Sequence, residues 1–313
     1  MANYELVMTC EEMKDKENWL AMRKAGIGGS DAAAVIGLSR WKSPFQVWLE
    51  KTGQTEPDDL SNNEYVYWGT VLEQAVADRF CELTGKKVRK MGMVQHKEYP
   101  WLKADVDRMV VGENAGLECK TANGFAGKQW EEDEVPTQYY IQCQHYMLVT
   151  GCEKWYIAVL IGGNHFIWKE IPRNEDDIQA LLAQEKDFWE TNVLGGSMPD
   201  VDGSKNCTEA LQQKFKGGNM DPVELPEEAD TLLTMLDDYK EREKEVKASI
   251  EEYKNRISLL LGNNEIGYVG DRKVTWKLQN GRVTLDSKKL KSELPDIFDQ
   301  YKKVGKPTRV LRV

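Results

Sequence analysis

The sequence of 313 residues lacks long apolar runs, paired cysteines and clustered histidines. No segment approaches the ~20 consecutive apolar residues of a transmembrane helix, so we expect no membrane association. The six cysteines include no C-x-x-C pair, which indicates reduced thiols rather than disulfides or a zinc site. His96, His145 and His165 lack ligand-like spacing, which argues against zinc hydrolase chemistry. The N-terminal segment has early acidic residues and no apolar stretch, so we expect no secretory signal and a cytoplasmic protein.

An excess of positive charge is also lacking, since 42 Lys and Arg residues are outnumbered by 52 Asp and Glu residues and the formal net charge is −10. A protein that binds nucleic acid normally presents a basic surface that neutralises phosphates. However, bound cations would cancel part of the carboxylate charge at a site. The acidic residues also concentrate in segments 174–190 and 224–252, away from the motifs described below. The net charge therefore weakens the case for a nucleic-acid substrate without excluding it.

Charged residues interrupt an apolar stretch in the segment LKADVDRMVVGENAGLECKTA. It predicts two adjacent strands, ADVDRMVV and GLECKTA, joined by a short turn. Side chains alternate along a strand, so Glu118 and Lys120 point to one face, which Asp107 can also reach. Two carboxylates and an ammonium can bind a divalent cation and position a water for attack on a phosphodiester. A surface hairpin with ordinary ion pairs is the alternative, but charge among apolar residues requires a partner such as a metal.

Helix and strand patterns predict an α/β (α+β) core with a mixed sheet within residues 1–200. Helices are predicted over 13–25 and 67–83, in GIGGSDAAAVIG, SPFQVWLEKTG and PTQYYIQCQHYMLVTG, and after Asn174. Strands are predicted around 88–94, 103–111 and 115–122, followed by a hairpin of KWYIAVLIGG and HFIWKEI. Glu73 lies beside the apolar stripe of its helix and could be an ordinary surface residue.

Beyond residue 200 the composition changes. Residues 201–225 are polar and Gly-rich and are predicted to be a linker, followed by an extension over 226–313. Apolar residues at heptad spacing, interrupted by Glu243, predict a long helix over 226–261. This helix could form a coiled coil or dock on its own domain. A hairpin is predicted after it, with its turn at Asn280-Gly281.

Three features in chain order carry a family resemblance. Glu73 lies in G-T-V-L-E on a helix, Asp107 and Glu118-x-Lys120 lie on a hairpin, and Gln142 lies in YIQCQHYMLVTG on the next helix. This arrangement resembles the PD-(D/E)xK nuclease superfamily. Together with the segment WLAMRKAGIGGSDAAAVIG, it is similar to the YqaJ-type viral recombinase, or lambda exonuclease-like, family. The resemblance covers about residues 15–195 and implies a restriction-endonuclease-like core.

The resemblance implies roles for individual residues. Asp107 and Glu118 would bind Mg²⁺, with Mn²⁺ as an alternative cation, and the carbonyl of Cys119 would complete the site. Glu73 would hold a second metal or its water shell. Lys120 would orient or deprotonate the attacking water, and Gln142 would orient Lys120 or a phosphate.

The same resemblance implies an end-binding site. Arg23 and Ser30 would grip a 5′-terminal phosphate, and an arginine beside a Gly-rich turn at a helix N-terminus suits an anion. Arg23 could instead pair with an acid such as Glu17. The sequence departs from the family where it has A-D-V-D-R in place of a Ser-Pro-Asp-Gly type turn. Asp105 could therefore assist or replace Asp107.

These inferences predict an Mg²⁺-dependent 5′→3′ double-stranded DNA exonuclease of phage or prophage recombination, acting in the cytoplasm of a bacterial host cell. The family implies that it resects duplex ends for a single-strand annealing protein and forms a homo-oligomer, a trimeric ring. Two alternatives remain: an endonuclease of the same superfamily and a non-catalytic DNA-binding or scaffold module. Residues 226–261 could also recruit the annealing partner.

Overall fold

Two units make up the chain, Met1–Lys216 and Gly217–Val313. The structure is a computed structural model, and it describes residues 3–56, 62–130, 134–305 and 307–313. Among these residues, no helix combines the length and apolar character needed to cross a lipid bilayer.

Helices of the first unit begin and end at recognisable signals. They are α1 (Lys16–Lys24), α2 (Gly29–Val35), α3 (Pro44–Lys51), α4 (Glu64–Thr84), α5 (Thr137–Thr150), α6 (Glu175–Asp187) and α7 (Lys205–Lys214). Ser43 caps α3 by accepting the Gln46 N–H, and Asn174 caps α6 in the same manner. Gly85, with φ of 71°, ends α4 in the left-handed conformation that favours glycine.

Strands of the first unit form two sheets. They are β1 (Tyr4–Met8), β2 (Ile27–Gly28), β3 (Val88–Arg89), β4 (Met93–His96), β5 (Leu102–Asp105), β6 (Arg108–Val110), β7 (Ala115–Ala122), β8 (Lys154–Ile161) and β9 (His165–Pro172). The four-stranded sheet has the order β1-β4-β5-β2, and the five-stranded sheet has the order β3-β6-β7-β8-β9. Both sheets contain parallel and antiparallel pairs. The predicted α/β (α+β) class with mixed strand pairing flanked by helices is confirmed, but the strands form two sheets where one central sheet was predicted.

The predicted single strand ADVDRMVV is wrong, because the chain changes sheet within it. β5 ends at Asp105 and pairs with β4 and β2, whereas β6 begins at Arg108 and pairs with β3 and β7. Between them, the Asp107 side chain accepts the Cys119 N–H at 2.8 Å. The Asp107 carboxylate therefore accepts a hydrogen bond that a main-chain carbonyl would accept if the strand continued without the change of sheet.

Helices α4 and α5 cover opposite faces of the five-stranded sheet. β7 and β8 are parallel neighbours, with α5 as the crossover between them. Tyr156 and Ala158 of β8 pack with α4, while Trp155 and Ile157 pack with α5. On β7, Leu117 packs with α4, so the alternating residues at 118 and 120 face α5.

The prediction that residues 201–225 are a linker is wrong for part of that segment. Helix α7 packs against α3, and its Cys207 and Ala210 are buried in a cluster with Phe45 and Trp48. The buried face of α7 has too few apolar residues for a helix to be recognised in this polar sequence. The first unit consequently extends beyond the predicted boundary at residue 200, to Lys216.

The second unit contains the predicted long helix and, after it, a hairpin at a different place from the predicted one. Its elements are α8 (Glu228–Leu261), β10 (Ile266–Val269), β11 (Arg272–Thr275), α9 (Ser287–Glu293) and α10 (Pro295–Tyr301). The hairpin turn lies between Val269 and Arg272, where Gly270 has φ of 56°. The predicted turn at Asn280-Gly281 is therefore wrong, because an earlier glycine supplies the left-handed conformation. The heptad residues of α8 are exposed within this unit.

Candidate active site

A cavity of about 540 Å³ lies between residues of the two sheets of the first unit. Six of the predicted site residues line it: Arg23, Ser30, Glu73, Asp107, Glu118 and Gln142. Strand β5 and helices α1 and α2 contribute one side, and β7, α4 and the Asp107 turn contribute the other. Residues that are widely separated in sequence therefore share one solvent-accessible space.

Asp107 and Glu118 bring two carboxylates together at this cavity. Glu118 is 3% exposed, and its Oε2 atom is buried without a hydrogen-bond partner. Burial, and then the nearby Glu118 carboxylate, raise the pKa of Asp107 well above its ordinary value. Burial likewise raises the pKa of Glu118, although Lys120 opposes the change. Burial therefore disfavours the ionised form of both carboxylates, and neighbouring carboxylates add to this effect.

Lys120 lies on the same face of β7 as Glu118, as the strand alternation predicted. Its Nζ atom is 2.5 Å from Glu118 Oε1 and 5.2 Å from the centre of the Tyr139 ring. Burial disfavours the charged form, but Glu118 and Asp107 outweigh this effect and raise the pKa of Lys120. Lys120 is therefore an ammonium fixed between a carboxylate and an aromatic face.

Gln142 of α5 connects these residues to the neighbouring sheet. Its Nε2 atom donates to Glu118 Oε1 at 2.7 Å and to the Tyr146 hydroxyl at 2.8 Å. The Tyr146 hydroxyl in turn donates to the Asp105 carbonyl at 3.0 Å. We call this chain of hydrogen bonds the α5 network. It fixes the position of the Glu118 carboxylate relative to the end of β5. Gln142 thus contacts Glu118 rather than Lys120.

The donor set around Asp107 fits a divalent cation, although three suitable side chains are not assembled. Among the described residues, no group of three His, Cys, Asp or Glu side chains could hold a metal ion. Asp107 and Glu118 supply two carboxylates, and one Glu118 oxygen has no partner. A strand residue directs its N–H and C=O to the same side, so the Cys119 carbonyl faces Asp107, as its N–H does. Oxygen donors of these kinds are what Mg²⁺ and Mn²⁺ prefer.

Glu73 lines the cavity but is already paired with a cation. Arg108 Nη1 lies 2.5 Å from Glu73 Oε1 and 2.6 Å from the Asp107 carbonyl, and the Arg108 side chain is 3% exposed. The guanidinium therefore neutralises Glu73 and ties α4 to the turn that carries Asp107.

Arg23 and Ser30 meet at the opposite side of the cavity. Arg23 Nη2 donates to Ser30 Oγ at 2.6 Å, and its guanidinium lies 4.9 Å from the centre of the Trp19 ring. Asp31 is the acid beside Arg23, at 3.9 Å, and not Glu17. Asp31 is itself paired with the buried Lys51 at 2.7 Å. The Arg23 charge is therefore only partly compensated.

Asp105 also lines the cavity, with its Oδ2 atom accepting the Trp19 Nε1–H at 2.9 Å. Burial raises the pKa of Asp105. Its charge also helps to raise the pKa of Glu118, so Asp105 lies within electrostatic reach of that carboxylate.

A buried pair supports the strand that carries Asp105. His145 of α5 and Glu185 of α6 are fully buried, and His145 Nδ1 lies 2.8 Å from Glu185 Oε1. His145 Nε2 donates to the Lys103 carbonyl at 2.9 Å. Burial alone would lower the pKa of His145, but Glu185 outweighs it and the pKa is raised.

Residues that were not identified from the sequence include Tyr146 and Lys103, which line the cavity, and Arg108, which pairs with Glu73. Tyr146 is four residues after Gln142, on the same helix face, and Lys103 is two residues before Asp105, on the same strand face. Those spacings could have revealed both once the helix and strand were assigned. Arg108 follows Asp107 directly, and only the change of sheet explains why it reaches Glu73.

The family model of the YqaJ-like viral recombinase domain matches residues 18–153, which include the cavity residues just described. YqaJ of Bacillus subtilis (strain 168) is 41% identical over 293 residues, covering 92% of this chain and 91% of that protein. The chain belongs to the YqaJ-like viral recombinase domain family. Protein D345L of African swine fever virus (strain Badajoz 1971 Vero-adapted) is 35% identical over 69 residues, covering 21% of this chain and 19% of that protein.

Two exonucleases are among the solved structures that match part of this chain. The alkaline exonuclease LHK-Exo of Laribacter hongkongensis has 19% identity and a TM-score of 0.46, over 57% of this chain and 98% of that one. A phage related exonuclease of Haemophilus somnus 129PT has 14% identity and a TM-score of 0.41, over 55% of this chain and 96% of that one.

Proposed function

We propose that the protein is a divalent-cation-dependent exonuclease that digests double-stranded DNA from the 5′ end. One observation carries this proposal: Arg23 and Ser30 line the same cavity as Asp107 and Glu118. Arg23 and Ser30 could bind an anionic DNA end, and the two carboxylates could bind a cation beside a nearby phosphodiester. One cavity could therefore hold the end of a DNA strand while the adjacent bond is cut.

Asp107, Glu118 and the Cys119 carbonyl are the proposed cation ligands, with Mg²⁺ as the expected ion and Mn²⁺ as an alternative. When bound, such an ion would stabilise charge on the phosphoryl group and favour ionisation of water. The crowding of the carboxylates and the unpartnered Glu118 oxygen support this assignment. For Glu73, the Arg108 ion pair favours a role in the surrounding water shell over direct ligation.

Lys120 is proposed to orient the attacking water and to offset negative charge that develops on the phosphate. Its raised pKa supports this role over removal of a proton. Gln142 is proposed to fix the Glu118 carboxylate, because it donates to Oε1 at 2.7 Å. The predicted role of Gln142 was to orient Lys120 or a phosphate, whereas its observed contact is with Glu118.

A 5′ terminus as the starting point rests on Arg23 and Ser30. The guanidinium and hydroxyl are already in contact, so both can donate to one phosphate. Release of 3′ single strands for a single-strand annealing protein, a trimeric ring and action in the bacterial cytoplasm are further parts of the proposal. They come from the family resemblance.

The decisive experiment compares linear duplex DNA with covalently closed circular duplex, each with Mg²⁺, Mn²⁺ or EDTA. We expect digestion of the linear substrate alone, and only with a cation. Glu118→Gln and Lys120→Met should each reduce the rate by at least ~100-fold. Glu113→Gln is a matched control, because Glu113 precedes the same strand but pairs with Lys86 outside the cavity.

Two results would contradict the proposal in different ways. Cutting of closed circles would establish the endonuclease alternative. Unchanged digestion by both Glu118→Gln and Lys120→Met would show that the active site lies elsewhere.

A further inference from the structure

We propose that Lys103 binds the 5′-terminal phosphate together with Arg23 and Ser30, as a residue that determines specificity for a phosphorylated end. This inference rests on the proposed function. Lys103 is 5% exposed, yet it lines the same cavity as Arg23 and Ser30. A buried cation at a cavity wall requires an explanation, because burial of charge is unfavourable unless a partner compensates it.

Lys103 has no carboxylate partner among the described residues. The contact of its Nζ atom is with the neutral Gln95 Oε1 at 3.1 Å. Burial, and then the Lys51 charge, lower the pKa of Lys103. The neighbouring buried lysine differs, since Lys51 lies 2.7 Å from Asp31 Oδ2. The charge of Lys51 is therefore compensated by a carboxylate of the protein. The charge of Lys103 is not, so an anionic ligand could compensate it.

The surrounding backbone holds the Lys103 side chain in place. A Cβ atom at position 26 would lie 2.8 Å from Lys103 Cε and 2.4 Å from the Trp101 carbonyl. Gly26 thus leaves the space in which the lysine side chain runs. The Lys103 carbonyl is fixed from the other side by His145 at 2.9 Å. The His145 contact fixes the main chain at Lys103, while the Gln95 contact at 3.1 Å positions the ammonium before any ligand binds.

The charge at this side of the cavity suits a terminal phosphate. A phosphate monoester carries close to two negative charges at neutral pH, whereas an internal phosphodiester carries one. Arg23, which is partly compensated by Asp31, and Lys103 supply positive charge, and Ser30 supplies a hydroxyl. The Asp105 carboxylate lies on the same side, and burial raises its pKa, which favours its uncharged form. A phosphorylated end would therefore be favoured over both a hydroxyl end and an internal phosphate.

Binding without cleavage tests this assignment. Fluorescence anisotropy with a short blunt duplex, carrying either a 5′-phosphate or a 5′-hydroxyl, is measured in EDTA. We expect the wild-type protein to prefer the phosphorylated end. Lys103→Met should weaken binding of that end about tenfold, as loss of one charged hydrogen bond does, and leave the hydroxyl end within about twofold. Lys103→Arg should retain most of the preference.

Two further variants keep the test informative. Gln95→Glu retains Lys103 but gives it a carboxylate, so it should also reduce the preference for the phosphorylated end. Lys90→Met is the matched control, because Lys90 is an exposed lysine outside the cavity, and it should leave the preference unchanged.

The outcomes separate this inference from the proposed function. Equal weakening of both ends would place Lys103 on an internal phosphate and overturn the inference, and so would unchanged binding by Lys103→Met and Gln95→Glu. A wild-type protein without any preference for a 5′-phosphate would also overturn it. Failure of the wild-type protein to digest linear DNA with Mg²⁺ or Mn²⁺ would instead refute the proposed function.

Discussion

Replacement of Tyr146 by phenylalanine removes one atom from the α5 network and leaves the aromatic packing in place. The hydroxyl donates to the Asp105 carbonyl at 3.0 Å and accepts from Gln142 at 2.8 Å. Tyr146 is 4% exposed, so water cannot readily replace either bond. Leaving buried polar groups without partners costs about 1–3 kcal/mol. We therefore expect the free energy of unfolding to fall by about 1–3 kcal/mol.

The same change should slow the proposed digestion of linear DNA. Gln142 would keep Glu118 as an acceptor but lose its second acceptor, so the Glu118 carboxylate would be held less firmly. Loss of ~1.4 kcal/mol of transition-state stabilisation corresponds to a factor of about ten in rate. We expect kcat to fall by about tenfold with little change in KM, because Tyr146 is not proposed to bind the DNA end.

Chemical denaturation and steady-state digestion of linear duplex measure both effects. Tyr140→Phe is the matched control, since Tyr140 lies on the same helix and its hydroxyl donates to Asp177 near the surface. If Tyr146→Phe matches Tyr140→Phe in both stability and kcat, the α5 network does not position Glu118.

Two other predictions concern the support of the cavity. His145 has a raised pKa in the folded state, so its contribution to stability is present below the unfolded pKa of ~6.5 and is lost as pH rises through the folded pKa. His145→Gln should therefore lower the free energy of unfolding more at pH 6 than at pH 9, and an equal loss at both pH values would contradict this. Gly29→Ala should destabilise the fold by about 1–3 kcal/mol, because its Cβ would lie 2.5 Å from Tyr146 Cε1. Gly28→Ala is the control, because its Cβ would have only contacts of 3.9 Å or more, and it should leave stability nearly unchanged in the same denaturation experiment. Equal losses of stability in the two variants would show that the Tyr146 ring moves aside at little cost.

Local patterns predicted the parts of the site that depend on one element. Strand alternation placed Glu118 and Lys120 on one face, and the structure has both facing α5. Gly85 was sufficient to locate the end of α4, and the capping side chain of Asn174 was sufficient to locate the start of α6. The family resemblance added Gln142, which contacts Glu118.

The parts that were missed depend on contacts between elements. The change of sheet at Val106 and Asp107 follows from pairing with four different strands, and alternation within one segment carries no information about it. The same change brings Arg108 to Glu73. The sequence permits a hairpin turn at Gly270 and another at Asn280-Gly281. The pairing of β10 with β11 selects the turn at Gly270.

Helix α5 is the one helix whose side chains bond to both sheets at the cavity within the described part of the chain: Gln142 to Glu118 on β7, and Tyr146 and His145 to carbonyls of β5. For the proposed exonuclease, β5 belongs to the half that holds the DNA end and β7 to the half that breaks the bond. In that proposed enzyme, one helix would set how many nucleotides separate the held end from the broken bond. A substitution that displaces α5 would show itself as released fragments of a different length, even where the speed of release is unchanged.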